Sequence, residues 1–242
     1  MAKQDRNTDG RVEREDRYLF GRRKAKPLSA HQNALLGSLL PKLAVDPDRD
    51  PIRDLPALFE HRPDAVYLEI GFGGGEHLVA RALANPEAGF IGIEPFVNGI
   101  AKALVQVDLL QIENIRIFDK DASLLIGKLP DDGLAGIDLL YPDPWPKRRH
   151  WKRRFINRKN LCQIARILSP GGRLRFVSDH PGYVNWTLRH CLKLSDMRWT
   201  AKQAGDWQNP WPGWLSTRYE KKAFREGRSP AYLIFEKQAG NA

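Results

Sequence analysis

Val66-Tyr67-Leu68-Glu69-Ile70-Gly71-Phe72-Gly73-Gly74-Gly75-Glu76-His77 changes grammar twice in a short span. A mostly apolar run of strand length gives way to a glycine-rich turn, and the turn opens an amphipathic segment of helical period. Strand, glycine turn and helix in direct succession predict the first half of a βαβ unit. Glycines let a ligand approach bare backbone, and the helix start presents unpaired N–H groups, so the turn is a nucleotide-type cradle. The dinucleotide fingerprint is not met, because Gly71-x-Gly73 is followed by Glu76 at the sixth place, where a carboxylate disfavours a pyrophosphate.

Outward from this unit the alternation continues. Strands are expected at Val66 to Ile70, Phe90 to Glu94, Ile115 to Phe118, Ile137 to Tyr141 and Arg173 to Ser178. Helices are expected between and after them, near Glu76 to Ala84, Val97 to Leu110, Asp121 to Lys128, Asn157 to Leu168 and Tyr183 to Leu194. Such a chain makes a doubly wound α/β domain around a mostly parallel sheet. The tail breaks the pattern: Arg218 to Arg225 and Ala231 to Lys237 read as two strands joined by the turn-rich Glu226-Gly227-Arg228-Ser229-Pro230, which predicts a C-terminal antiparallel hairpin.

The 242 residues suffice for one domain over 28–242, preceded by a charged arm over 1–27 that is too poor in apolar groups to order itself. The basic end of the arm, Arg22-Arg23-Lys24-Ala25-Lys26, either touches phosphate or is simply solvated. Lys and Arg number 39 against 29 Asp and Glu, a formal +10. That balance suits a polyanionic partner, nucleic acid before membrane. No apolar run is long enough for a membrane span or a signal peptide, so the chain reads as cytoplasmic. Cys162 and Cys191 show neither disulfide nor metal spacing and read as buried reduced thiols; no metal site is indicated.

Three acids fall at successive strand ends. Glu69 suits a cationic group such as an ammonium, Glu94 is placed to accept from ribose hydroxyls, and Asp121, or in its place Asp119, from an adenine amine. Together with Gly71 and Gly73 they fit S-adenosyl-L-methionine, which carries no phosphate and is positive at sulfur and amine. The plainer alternative is a tight turn with Glu94 and Asp121 as helix caps.

The fourth strand runs into Tyr141-Pro142-Asp143-Pro144-Trp145-Pro146, followed by Lys147-Arg148-Arg149-His150-Trp151-Lys152-Arg153-Arg154. Two prolines stiffen the loop around Asp143 at the carboxyl edge of the sheet. Cations beside aromatic faces are the combination expected for splayed-out RNA, with Arg149 to Arg154 as its contacts. Asp179 falls on the same edge or caps the next helix. His77 and His180 read as structural. The segment containing Trp199, Trp207, Trp211 and Trp214 is either a flap or a loop pinned by its rings.

On Pro142-Asp143-Pro144-Trp145-Pro146-Lys147 with its basic continuation, and on Glu69-Ile70-Gly71-Phe72-Gly73, Gly92-Ile93-Glu94, Ser178-Asp179 and Thr217-Arg218-Tyr219-Glu220, the chain resembles the bacterial tRNA (guanine-N7-)-methyltransferase family. The resemblance runs from about Arg22 to Lys237. It implies a class I S-adenosylmethionine-dependent methyltransferase fold, with the cofactor held by Glu69, Glu94, Asp121 and Asp143. It also implies that Asp143 is catalytic, that Lys147, Asp179, Thr217, Arg218, Tyr219 and Glu220 bind substrate, and that the target is guanine 46 of the tRNA variable loop. No obligatory protein partner is expected. Tyr141 stands where the family usually has phenylalanine, and Arg218-Tyr219 where lysine and phenylalanine are frequent. A dehydrogenase would require the missing third glycine, and a noncatalytic RNA-binding protein would have no use for Glu69, Glu94 and Asp143 together.

Overall fold

The computed structural model describes residues 26–239. All but the last two residues of the expected arm lie outside that range. Helices α1 (Ala30–Ser38) and α2 (Leu40–Leu43) come first, and α1 is opened by a reciprocal capping box between Ser29 and Gln32. The expected alternation follows: β1 (Val66–Ile70), α3 (Glu76–Ala84), β2 (Gly89–Ile93), α4 (Val97–Leu109), β3 (Ile115–Phe118), α5 (Ala122–Ile126), β4 (Leu134–Leu140), α6 (Arg158–Ile167), β5 (Leu168–Ser178) and α7 (Pro181–Cys191). The remaining elements are β6 (Met197–Trp199), α8 (Gly205–Gln208), α9 (Arg218–Arg225) and β7 (Ala231–Lys237).

The seven strands lie in the order β3-β2-β1-β4-β5-β7-β6. Pairing is parallel from β3 to β5, whereas β7 runs antiparallel to both β5 and β6. The strand order turns back between β1 and β4, which opens a crevice above their carboxyl ends. Alternate residues feed two cores. Leu68, Ile70, Ile91, Ile93, Leu139 and Phe176 pack on the side of α5, α6 and α7, and Phe90, Ile115 and Ile117 pack against α3 and α4. Burial of β2 along its whole length explains its unbroken apolar run.

Three expectations are corrected. The sheet does end antiparallel, but Arg218–Arg225 is a helix, capped by Thr217 and burying Glu220 and Ala223 on one face. The third-position spacing of those two buried residues is helical, and Thr217-x-x-Glu220 is a helix-start signature. The strand that pairs with β7 at its outer edge is Met197–Trp199 instead. Cys162 is exposed, and only Cys191 is buried, its thiol pushed up to about 12 by burial. Among the described residues, no helix is long and apolar enough to cross a membrane.

Candidate active site

Gly71, Gly73 and Gly75 all take left-handed φ, at 75°, 59° and 82°, which side chains disfavour. Helix α4 presses on this turn from below. A Cβ at Gly99 would lie 2.2 Å from the Gly73 carbonyl oxygen, and one at Gly75 would lie 2.6 Å from the Ala103 Cβ. Glu94 ties the turn to the end of β2, accepting from Gly73 N at 2.8 Å and from Phe96 N at 2.9 Å. Burial raises its pKa despite those two bonds.

Above the turn lies a cleft of about 660 Å³. Gly71, Gly73, Glu94, Asp121, Asp143, Arg218 and Tyr219 all line it. Asp121 also caps α5, accepting through one oxygen from Ser123 N at 2.8 Å and from the Ser123 hydroxyl at 2.6 Å. Its cap role and its place in the cleft therefore coexist. Asp119 does not line the cleft.

Glu69 does not line it either. The side chain is buried, with Oε2 2.7 Å from His77 Nδ1. Burial opposes a charged imidazole, but the charge and hydrogen bond of Glu69 outweigh it, and the His77 pKa is raised. The strand partner of Glu69, Asp138, accepts from Arg81 and faces Arg175 at 3.9 Å. Glu69, His77 and Asp138 have the spacing of metal ligands, but the two guanidiniums complete them as an ion-pair network. The carboxylate expected to meet an ammonium thus spends its hydrogen bond on the helix that follows the turn.

The loop after β4 carries Asp143, exposed at the rim, between two residues in left-handed conformation, Tyr141 (φ 51°) and Trp145 (φ 42°). A short 3-10 helix, Arg148–Arg153, holds the basic run. Lys147, Arg148, Arg149 and Lys152 are exposed. Arg153 lies over the Trp145 ring at 4.9 Å, and His150 packs edge-on to the same ring at 5.7 Å. Burial and the cations Arg153, Arg149 and Lys147 lower the His150 pKa. Arg154, expected among the RNA contacts, is only 2% exposed; a guanidinium so covered has no surface to offer a polyanion. Trp151 is half-buried and donates to the Pro146 carbonyl at 3.3 Å.

At the end of β5, Asp179 accepts from Arg228 at 2.7 Å. The adjacent helix α7 is capped by His180, whose ring accepts from Tyr183 N. Thr217 accepts from Glu220 N at 3.1 Å as the cap of α9. Glu220, 3% exposed, takes the Trp214 indole N–H on both oxygens, at 2.9 and 3.0 Å, and the Tyr232 hydroxyl as well. Trp211 and Trp214 pack on Tyr232, so these rings pin their segment to the sheet. Tyr219 stacks on Tyr141 at 6.2 Å, and Arg218 donates to the Tyr219 hydroxyl at 3.2 Å. Of the two readings of the tryptophan segment, the pinned loop is the one these contacts match, whereas the Glu220 partners and the Arg228 partner of Asp179 leave no sequence signal.

Residues 63–232 match a family model described as a putative methyltransferase. A protein of Rhizobium meliloti (strain 1021) named tRNA (guanine-N(7)-)-methyltransferase is 53% identical over 230 residues, covering 95% of this chain and 99% of its own. One of the same name from Agrobacterium fabrum (strain C58) is 52% identical, covering 94% and 98%. Among solved structures, an rRNA methylase from Streptococcus thermophilus has a TM-score of 0.51 at 13% identity, covering 78% of this chain and 99% of that one. The cyclase SpnF also reaches 0.51, at 15% identity, covering 74% and 76%. The fold is the expected class I methyltransferase fold, and a cyclase built on it shows that the fold by itself does not decide the chemistry.

Proposed function

The chain belongs to the tRNA (guanine-N(7)-)-methyltransferase family, and from that premise we propose that it transfers the methyl group of S-adenosyl-L-methionine to N7 of a guanine in tRNA. One observation carries the reading: the acid-lined cleft and the exposed cations share a rim. Asp143 and Trp145 line the cleft, and Lys147, Arg148 and Arg149 follow at once on the outer surface.

The residues present fit the cofactor. The Glu94 oxygens each take one backbone N–H, which leaves lone pairs for ribose hydroxyls. Asp121 keeps one oxygen outside its cap, available to an adenine amine. When bound, the cofactor supplies an electrophilic methyl group on a sulfonium. Guanine N7 brings its own lone pair, so the chain's task is alignment more than deprotonation. The product ring gains positive charge, and the Asp143 carboxylate at the rim stabilises it as it develops. Asp179 and Glu220 both belong to the expected substrate-binding set, and an acid there suits the guanine N1 and exocyclic amine. Glu220 gives both oxygens to Trp214 and Tyr232, whereas Asp179 binds Arg228 through Oδ2, which favours Asp179. The reading needs no metal and no obligatory protein partner, and it sets the chain in the cytoplasm with its tRNA.

Purified protein incubated with labelled cofactor and unmodified tRNA should yield 7-methylguanosine, with position 46 the expected site. Asp143→Asn should lower the single-turnover rate by about 100-fold and leave tRNA affinity within about 3-fold. An Asn variant as fast as the wild type would overturn the role.

A further inference from the structure

The strain in the Asp143 loop needs an external support. Left-handed φ at Tyr141 and Trp145 costs on the order of 1–3 kcal/mol each and persists only where neighbouring structure enforces it. The prolines on either side of Asp143 restrict the backbone between these two residues but cannot hold their φ values. Something must grip the loop from outside.

Arg154 does so. Its Nε donates to the Pro144 carbonyl at 2.9 Å, immediately before Trp145, and its Nη1 donates to the Gly182 carbonyl at 3.2 Å. Gly182 lies in the first turn of α7, just after Asp179 and His180. Three rings enclose the guanidinium, with Trp151, Tyr183 and Trp186 each 5.0 Å from it. Tyr183 is itself buried and accepts from Ile156 N at 3.2 Å, and Trp186 donates to the Ile156 carbonyl at 2.6 Å, so the enclosure is rigid. Only a planar fork with donors in two fixed directions bridges both carbonyls, and an ammonium cannot do so in the same way.

We propose that Arg154 is a positioning residue for methyl transfer, a staple that joins the loop carrying Asp143 to the first turn of α7, which follows Asp179, and fixes the two acids relative to each other. The inference rests on the methyl-transfer reading. It takes Arg154 out of the RNA-binding set although it is continuous in sequence with the exposed cations.

The test compares wild type, Arg154→Ala and Arg154→Lys in single-turnover methylation of unmodified tRNA, with tRNA affinity and the folded fraction measured in parallel. A displaced reacting group loses about 10- to 100-fold in rate, so both variants should lose that much per folded molecule while tRNA affinity stays within about 3-fold. Added guanidinium ion should restore part of the Arg154→Ala rate, and ammonium at equal concentration should not. A rate within about 3-fold of wild type per folded molecule would overturn the inference, as would a loss confined to tRNA affinity. If Arg154→Ala does not fold, Arg154→Lys decides by the same criteria. A wild-type chain that methylates no tRNA removes the reaction and the inference together.

Discussion

His77 shows how far a single side chain's neighbours can be read in advance. The acids Glu69, Glu94, Asp121 and Asp143 are legible because each follows an apolar run at a strand end, and three of the four line the cleft. The direction of Glu69 is not legible, because its partner is set by how α3 leaves the glycine turn and brings His77 to within 2.7 Å. Likewise Glu220 carries no sign of its partners, since Tyr232 is brought to it by a separate strand. The His77 pair makes a pH prediction. The pKa is raised in the folded protein above its ordinary 6.5, so the folded state holds a proton that the unfolded chain releases. The stability this contributes is fully present below that ordinary value and is lost as pH rises through the folded one. His77→Gln should therefore cost more stability at pH 6 than at pH 9 in denaturant titrations, and an equal deficit at both would contradict the raised value.

The central strands and helices were readable because their apolar periods are long and buried on defined faces. Helices α1, α2 and α8 carry no expectation, and β6 and α9 depart from it for nameable causes. β6 spans only Met197–Trp199, too short to show a period, and it is held by its pairing with β7. α9 is nearly all polar on its outer face, so its strongest signal was its cap rather than its hydrophobicity. That cap supports a second prediction. Thr217→Ala removes the acceptor for Glu220 N and should cost about 1 kcal/mol, read as a lower unfolding midpoint. Because α9 also carries Arg218 and Tyr219 into the cleft wall, KM for tRNA should rise in the same variant. Unchanged stability would show that the cap contributes nothing.

Charge is a property of the whole molecule, and +10 was enough to put nucleic acid first among partners, though not to say which cations face it. The structure separates exposed Arg148, Arg149 and Lys152 from buried Arg154. Replacing those three exposed residues with alanine should weaken tRNA binding and reduce the slope of log affinity against log salt by about 2–3 units. An unchanged slope would move the RNA path elsewhere. The strand order sets where the cofactor cradle lies, and α4 sets its curvature. With Gly99 and Ala103 packed beneath the glycine turn, the bend that its own glycines permit is moulded by a neighbouring helix. Grafted onto another α/β scaffold without that mould, Gly71 to Gly75 would carry over the motif but not the shape.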